Sequence, residues 1–291
     1  MIEYKSTDWI NFIFRFHKSD TIRQLFPVII ILALYTAGVA YLELDYFKLS
    51  DKSYLKNVNL MHSILSFVIS MLLVFRTNTA YDRWWEGRKL WGSLVNNSRN
   101  LAIKLAAFLN SDDLENRTHF KKLIAAYPHA LRNHLSHEST RIELFDDDAL
   151  NKKIELHKHV PNQIALMIVK RINKLYLDKK ITNEQFIILN DEMQTFTDVC
   201  GACERIKNTP IPFSYSAFLK KFIFIFVVTL PFGFAFSLGY LVVPVVCFVF
   251  YVLASLELIA EEIEDPFGND ANDLPTKKIA SNIHKHIYEI L

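Results

Sequence analysis

The sequence has little of what marks small secreted, disordered or nucleic-acid-binding proteins. It contains only 3 cysteines in 291 residues, which is too few for a disulfide framework. Its 7 glycines and the absence of any low-complexity tract argue against long flexible linkers. The formal net charge is only +2, so no strong basic field favours nucleic acid as a partner. No phosphate-binding glycine loop and no nucleophile elbow occurs, and we therefore expect a protein that is not an enzyme.

Two groups of residues have redox or metal-binding character, but their spacing favours ordinary roles. Cys200 and Cys203 form a lone Cys-x-x-Cys on a predicted helix, with no second pair, so we expect both to pack in a core. His129, His134 and His137 do not share one helical face as an i, i+4 pair would. We expect surface histidines here, and the sequence predicts neither a metal site nor a cofactor.

Three long apolar runs predict membrane spans. Hydrophobic residues make up 51% of the chain, and uncharged runs extend over Leu25–Leu42, Asn59–Phe75 and Phe222–Leu256. The first two are long enough to cross the ~30 Å hydrocarbon layer as helices. The third would be roughly 50 Å long as one helix, so we predict two spans joined by a turn at Gly239–Pro244. The chain is therefore expected to have four transmembrane helices and lipid as a partner.

Basic residues next to the spans predict the orientation. They concentrate after the second run, whereas the first loop balances its lysines with acids and the last turn has no basic residue. The positive-inside rule then places residues 76–221 and both termini in the cytoplasm. The predicted division is a cytoplasmic N-terminal segment (1–24), spans one and two (25–75), a cytoplasmic helical region (76–217), spans three and four (218–260) and a cytoplasmic C-terminal segment (261–291).

The cytoplasmic region is predicted to be helical throughout. Apolar residues recur at helical spacing over 80–109, and further helices are predicted over 114–134, 163–177 and 183–208. The polar run 110–113 supplies a candidate N-cap, and no alternation typical of strands occurs. The fold class is therefore an all-α membrane protein with a large cytoplasmic helical region.

Three sequence blocks give this architecture a family resemblance. They are FRTNTAYDRWWEGRKLWGSL from Phe75, GACERIKNTPIPFSY over 201–215 and EEIEDPFGNDANDLP over 261–275. In order and in position relative to the spans, they resemble the corresponding blocks of bestrophins, and the short C-terminus resembles compact bacterial members. The resemblance implies a homopentamer in the bacterial inner membrane, with one central pore lined by the second span and continued through a cytoplasmic vestibule.

Within the second span, Phe67, Met71 and Phe75 match the positions of the hydrophobic neck of bestrophins. Four residues advance a helix by about 400°, so these side chains form one slightly drifting stripe. In a pentamer they would form three stacked apolar rings, which gate by dewetting. The alternative is plain packing between helices.

The polar residues directly after the neck form a second candidate group. A network at the subunit interface, coupling the neck to the cytoplasmic helices, is one interpretation, and anchoring at the membrane interface is the other. The residues concerned are Arg76, Asn78, Asp82, Arg83 and Glu86.

A second constriction is expected at the cytoplasmic exit of the pore. The resemblance places Glu184 there, or Gln185 if the alignment is displaced by one residue, where compact bacterial members carry an aliphatic residue. A ring of carboxylates would attract cations and repel anions. Glu184 could instead be a solvated acid at a helix start, where the helix dipole favours it.

The acidic segment after the fourth span has fewer carboxylates than its counterpart in calcium-activated relatives. In the matching run, residues 269–273, only Asp270 and Asp273 are carboxylates and Ala271 interrupts them, while Asp265 lies in the turn before the run. Calcium prefers six to eight oxygen ligands, so we predict that a calcium site is absent or weak and that the segment turns the chain and caps helices.

The function predicted from these observations is a channel for small monovalent ions, with a hydrophobic neck and a cytoplasmic exit constriction. The carboxylate at position 184 favours cations over anions. The alternatives are an anion (chloride) channel of the same architecture and a membrane transporter that is not a channel. His62 is the titratable group of the second span that a transporter would be expected to use.

Overall fold

The computed structural model is built entirely from helices in the residues that it describes, which are 21–48, 58–136 and 154–291. The elements are α1 (Thr21–Tyr41), continued by a π-helical turn (Leu42–Tyr46), α2 (Val58–Phe108), α3 (Leu114–Ser136), α4 (Val160–Leu177), α5 (Asn183–Asn208), α6 (Phe213–Leu238), α7 (Val242–Glu264) and α8 (Thr276–Ile290). Within those ranges there is no strand, and the predicted all-α class is confirmed for them.

The longest helix, α2, belongs to both halves of the molecule. It has 51 residues, and a helix of that length extends for about 77 Å, more than twice the hydrocarbon thickness of a bilayer. The predicted second span and the predicted first cytoplasmic helix are therefore one continuous helix. Side chains at the two ends of α2 are consequently fixed relative to each other.

Three helical stretches of the described chain are long and apolar enough to cross a membrane: Thr21–Tyr46, Asn59–Phe108 and Phe213–Glu264. The third stretch contains two helices, α6 and α7, joined by a 3-10 turn at Gly239–Leu241. Gly239 has a φ of 56°, a conformation that favours glycine. The turn lies where the sequence predicted it.

Helices α6 and α7 run antiparallel. Lys220, near the start of α6, donates to Glu261, near the end of α7, at 2.8 Å. The two helices also pack against each other along their length, together with α1 and the first half of α2.

The second half of α2 packs with α3, α4, α5 and α8 around a separate apolar core. This half of the molecule contains the helices that the sequence predicts to be cytoplasmic, and it is called the cytoplasmic block. Its largest fully buried side chains include Trp91, Tyr127, Phe120 and Phe196. Cys200 and Cys203 are also buried in this core, which confirms their predicted packing role. Burial raises the pKa of Cys200 to about 12, so the thiol stays protonated and unreactive at neutral pH.

Side-chain caps explain several helix boundaries. Thr182 and Gln185 form a capping box at the start of α5, which begins at the predicted residue. Asp113 accepts from the Asn116 amide at 3.3 Å, so the predicted polar cap before α3 is present. Helix α4 begins three positions earlier than predicted, since His159 caps it and a proline occupies its first turn.

Candidate permeation pathway

The predicted neck residues form an exposed apolar stripe on α2. Phe67 is 72% exposed, Met71 44% and Phe75 57% in the single chain. All three side chains lie on the side of α2 that the helices of the same chain leave uncovered. This leaves the stripe available to line a pore or to contact another subunit.

The opposite side of the same helix segment is fixed in the bundle. Ile69 is 1% exposed and Leu73 is 2% exposed, and both belong to the membrane core. The three serines beside the stripe are internally satisfied, because each donates to the carbonyl four residues earlier. Apolar packing by Ile69 and Leu73 thus holds the stripe in place from behind.

The membrane end of α2 is anchored to α6 by polar contacts. His62 Nε2 lies 3.0 Å from Thr229 Oγ1, and the His62 ring packs 5.5 Å from that of Phe226. One turn away, a side chain at Gly233 would collide with Asn59, so glycine permits close approach of the helices. His62 is therefore part of the helix contact and lies off the exposed stripe.

Arg76 follows the predicted neck directly and is buried in an ion-pair network. Its Nη2 lies 2.7 Å from Glu264 Oε2, and its Nε lies 3.4 Å from Glu257 Oε2. The Arg76 side chain is 1% exposed. Glu264 also accepts from the Ile211 amide at 2.6 Å. One buried arginine thus joins the neck helix to the end of α7 and to the connector between α5 and α6.

Arg83, two turns further along α2, holds three backbone carbonyls. Its Nη2 donates to Ile206 at 2.6 Å, its Nη1 to Thr209 at 2.5 Å and its Nε to Glu264 at 3.0 Å. These carbonyls lie at the ends of α5 and α7, where the last carbonyls of a helix have no donor within the helix. Arg83 therefore fixes two helix C-termini against α2.

The five predicted junction residues do not all behave alike. Glu86 pairs with Arg205 on α5 at 2.6 Å, so it joins Arg76 and Arg83 in linking elements of one chain. Asn78 and Asp82 are exposed on α2. The observed network is intrachain, whereas the role of these residues at a subunit interface stays a prediction.

Three contributors to this junction were not predicted from the sequence. Glu257 and Glu264 approach Arg76 from α7, and the Tyr215 hydroxyl donates to the Leu72 carbonyl beside the neck at 3.0 Å. Glu257 interrupts an apolar helix. A carboxylate at such a position needs a buried partner, so this residue was the sequence feature that could have predicted the contact.

The predicted exit residues lie at the start of α5. The Gln185 side chain accepts from the Thr182 amide at 2.9 Å, so it completes the capping box. Glu184 is exposed, and hydrogen bonds from its own amide and from Thr182 lower the pKa of its carboxyl. Glu184 therefore offers a free negative charge, while Gln185 is engaged at the helix end.

The acidic segment after α7 forms a compact turn. Asp273 is buried and accepts from the Asp270 amide at 2.5 Å, and Asp265 accepts weakly from the Phe267 amide at 3.4 Å. Phe267 packs against α2, where a Cβ at Gly87 would lie 3.1 Å from its ring. The predicted turn is therefore present, but α8 begins after Pro275 without a side-chain cap, so the predicted helix capping is not observed there. The absence or weakness of a calcium site stays a prediction.

Comparison with known proteins identifies the family. The profile of the family described as "Bacterial/Fungal Bestrophin protein" matches residues 1–289. The chain is 37% identical to a voltage-dependent anion channel-forming protein of Nostoc sp. over 232 residues, 78% of this chain and 76% of that protein. It is 31% identical to the voltage-dependent anion channel-forming protein YneE of Salmonella typhi, across 97% of this chain and 91% of that one.

Solved structures agree in fold. A bacterial bestrophin homolog from Klebsiella pneumoniae, carrying the mutation L177T, superposes with a TM-score of 0.81 at 25% sequence identity. The match covers 92% of this chain and 98% of that structure. With the three sequence blocks, the helical architecture and the match along nearly its whole length, this membrane protein belongs to the bacterial and fungal bestrophin family.

Proposed function

We propose that the chain is one subunit of a membrane channel that conducts small monovalent anions. The curated relatives are named voltage-dependent anion channel-forming proteins, and these names support the anion alternative of the sequence analysis. The cation preference rested on Glu184 alone, and no comparison supports it. Anions are therefore the proposed permeant ions.

The proposed assembly places the exposed stripe of α2 around a central axis. Five copies, as the family resemblance implies, would turn Phe67, Met71 and Phe75 into three apolar rings. The main support for this assembly is that the stripe is exposed, whereas the other side of α2 is packed into the bundle. A stripe used only for packing within one chain would be buried.

The proposed orientation is that of a multi-pass protein of the bacterial inner membrane. Helix α8 packs against α3 and the second half of α2, so the C-terminal helix lies with the cytoplasmic block. The basic residues after the second span support the cytoplasmic placement of that block. The cytoplasmic N-terminus is proposed on charge alone, because residues 1–20 lie outside the described part of the chain.

The neck would select among ions through their hydration. Arg76 is buried and paired with two carboxylates, so it contributes no unpaired positive charge to the lining. An apolar ring offers no ligands that replace the water of an ion. Weakly hydrated anions should therefore pass more easily than strongly hydrated ones, with thiocyanate more permeant than chloride.

Glu184 would oppose anion flow at the cytoplasmic end. Its exposed carboxylate stays ionised at neutral pH, and five such charges would lower the local anion concentration. In this proposal Glu184 limits the anion current, and the neck determines which anions pass.

The test is a current measurement on the purified protein in planar bilayers under a KCl gradient. We expect reversal near the chloride equilibrium potential and a further shift when thiocyanate replaces chloride. Reversal near the potassium potential would overturn the anion assignment but retain the channel. Absence of current in the wild type and in all neck variants would overturn the channel itself.

The neck is tested by alanine substitution. Phe67→Ala and Phe75→Ala should each raise the single-channel conductance severalfold, because a wider and less apolar constriction dewets less readily. Phe248→Ala is the matched control, since this phenylalanine is 67% exposed on α7, away from the stripe. Equal effects at all three positions would contradict the neck.

Glu184→Gln tests the exit, with Glu115→Gln as an exposed carboxylate control on α3. We expect a larger chloride current only in the first variant, and most clearly at low ionic strength, where charges are least screened. An unchanged current at all salt concentrations would remove Glu184 from the pathway.

A further inference from the structure

Three side chains from separate helices meet in the cytoplasmic block, away from the neck. His134 lies in the last turn of α3, His159 is the N-cap of α4 and Glu204 lies on α5. Both His134 Nε2 and His159 Nε2 are 2.6 Å from the same oxygen, Glu204 Oε1. The two imidazole rings are only 4.2 Å apart between centroids.

The accessibility and charge of this cluster suit an ion from solution. The three side chains are 33%, 30% and 30% exposed, in the order His134, His159 and Glu204. Burial opposes ionisation of Glu204, but hydrogen bonds from His159 and His134 outweigh it and lower the pKa of the carboxyl. The cluster therefore holds a carboxylate at neutral pH, directly beside the two histidine rings.

The spacing and the chemical identity of the donor atoms match those of a transition-metal site. One nitrogen from each histidine and one carboxylate oxygen lie within 4.8 Å of one another. Two imidazoles and one carboxylate form a donor set that zinc accepts with tetrahedral geometry, leaving a fourth position for water. Among the described residues, this is the single group of three or more such ligands with that proximity.

We propose that His134, His159 and Glu204 bind one transition-metal ion of the zinc class per subunit. This site is independent of the ion pathway, since none of its residues belongs to the neck, the junction or the exit. The ion would tie the end of α3, the start of α4 and the middle of α5 to one point.

Metal binding requires one proton to move within His159. Its Nδ1 accepts from the Asn162 amide at 3.1 Å, so the neutral ring carries its proton on Nε2. When Nε2 binds the metal, that proton moves to Nδ1, and the exposed Asn162 amide exchanges its side-chain partner for water. This exchange removes one side-chain cap, and the new zinc–imidazole bond offsets its loss.

The experiment measures zinc binding to the purified, tag-free protein in detergent. ZnCl₂ titrations followed by calorimetry, together with metal analysis after dialysis, should give one zinc per subunit. Co²⁺ in place of zinc should give the intense visible absorption of a tetrahedral site. Zinc should also raise the thermal midpoint by a few degrees, because it binds only the folded chain.

Two variants and one control separate the site from general histidine binding. His159→Asn removes the ligand but keeps a favoured N-cap residue, so α4 should still form. His134→Ala removes the second imidazole. Each should weaken zinc binding at least tenfold. His157→Ala is the control and should bind as the wild type does, because His157 is 75% exposed and pairs with Glu155, which is not one of the three ligands.

Three outcomes would overturn the site. They are less than one zinc per subunit at saturation, binding that survives in both His159→Asn and His134→Ala, or a weak octahedral Co²⁺ spectrum. Any of these would leave the three residues as a hydrogen-bonded contact between helices.

Discussion

The membrane bundle and the cytoplasmic block distribute apolar side chains in opposite ways. In the block, Phe120 and Phe196 are fully buried. In the bundle, Phe224 is 66% exposed and Phe248 is 67% exposed. Water drives the first arrangement through the hydrophobic effect, whereas lipid is as apolar as the side chains and removes that driving force.

Polar residues therefore carry more information in the bundle than apolar ones. His62, Thr36 and Arg76 are buried there, although each lies on a helix rich in apolar residues. In hydrocarbon a polar group is costly without a partner, so these positions mark faces that contact protein. Buried positions are therefore identified by apolar residues in the block and by polar residues in the bundle.

The first prediction compares matched phenylalanines in the two regions. Phe196→Ala should destabilise the protein by about 3–5 kcal/mol, because it leaves a cavity beside Tyr127 in a closed core. Phe248→Ala should change stability by less than about 0.5 kcal/mol. Thermal unfolding in detergent, followed by circular dichroism, measures both. An equal loss would place Phe248 against a neighbouring subunit.

The second prediction breaks the polar anchor of the bundle. Arg76→Met should cost about 3 kcal/mol, because the buried Glu257 and the largely buried Glu264 would lose their cation. Adding Glu257→Gln and Glu264→Gln should restore part of this loss. Lys220→Met is the control, since its pair with Glu261 is about half exposed and contributes less than about 1 kcal/mol. An equal loss of stability in Arg76→Met and Lys220→Met would contradict a buried anchor.

The third prediction concerns pH and the turn that joins the two regions. Burial raises the pKa of Asp273 from 3.8 to about 7, so between these values the folded chain binds a proton that the unfolded chain has lost. Stability should therefore fall as pH rises from 4 to 7, at most by about 1.4 kcal/mol per pH unit, and then level off.

Asp273→Asn should flatten this part of the stability profile, measured as thermal midpoints across the pH series. Asp270→Asn is the neighbouring control and should keep the slope, because its carboxyl is not the buried one. A wild-type slope that persists in Asp273→Asn would assign the pH dependence to another group.

The smallest expected effect lies at the end of α4. Lys179 follows the helix with a φ of 54°, and its amide and that of Lys180 close the helix by bonding to Tyr176 and Leu175. Lys179→Gly should stabilise the protein by about 0.5–1 kcal/mol, because glycine adopts this conformation without strain. Lys179→Ala should give no gain, and a gain in both would point to charge rather than conformation.

The positions of α3, α4 and α5 were predicted from the sequence to within a few residues, whereas α8 was not predicted. Helix α5 begins at Asn183 and ends at Asn208 as predicted, because its apolar spacing and its capping box act locally. The sequence analysis was wrong to separate the second span from the first helix after it, because the structure has one continuous helix there. A charge after an apolar run marks the edge of the membrane, but it does not end a helix, and α2 continues through Arg76 without interruption.

The sequence also predicted the spans, the turn between α6 and α7, the apolar stripe of α2 and the family. These follow from length, hydropathy and local spacing, which depend on neighbours along the chain. Only the tertiary structure decided which distant groups meet. It brought Glu257 and Glu264 to Arg76. It also placed His134 beside His159 and Glu204, whereas the spacing of the histidines had predicted surface residues and no metal site. His137, which belonged to that set of histidines, lies outside the described residues. Long-range contacts of this kind depend on how helices pack, and helical periodicity specifies a face without specifying its partner.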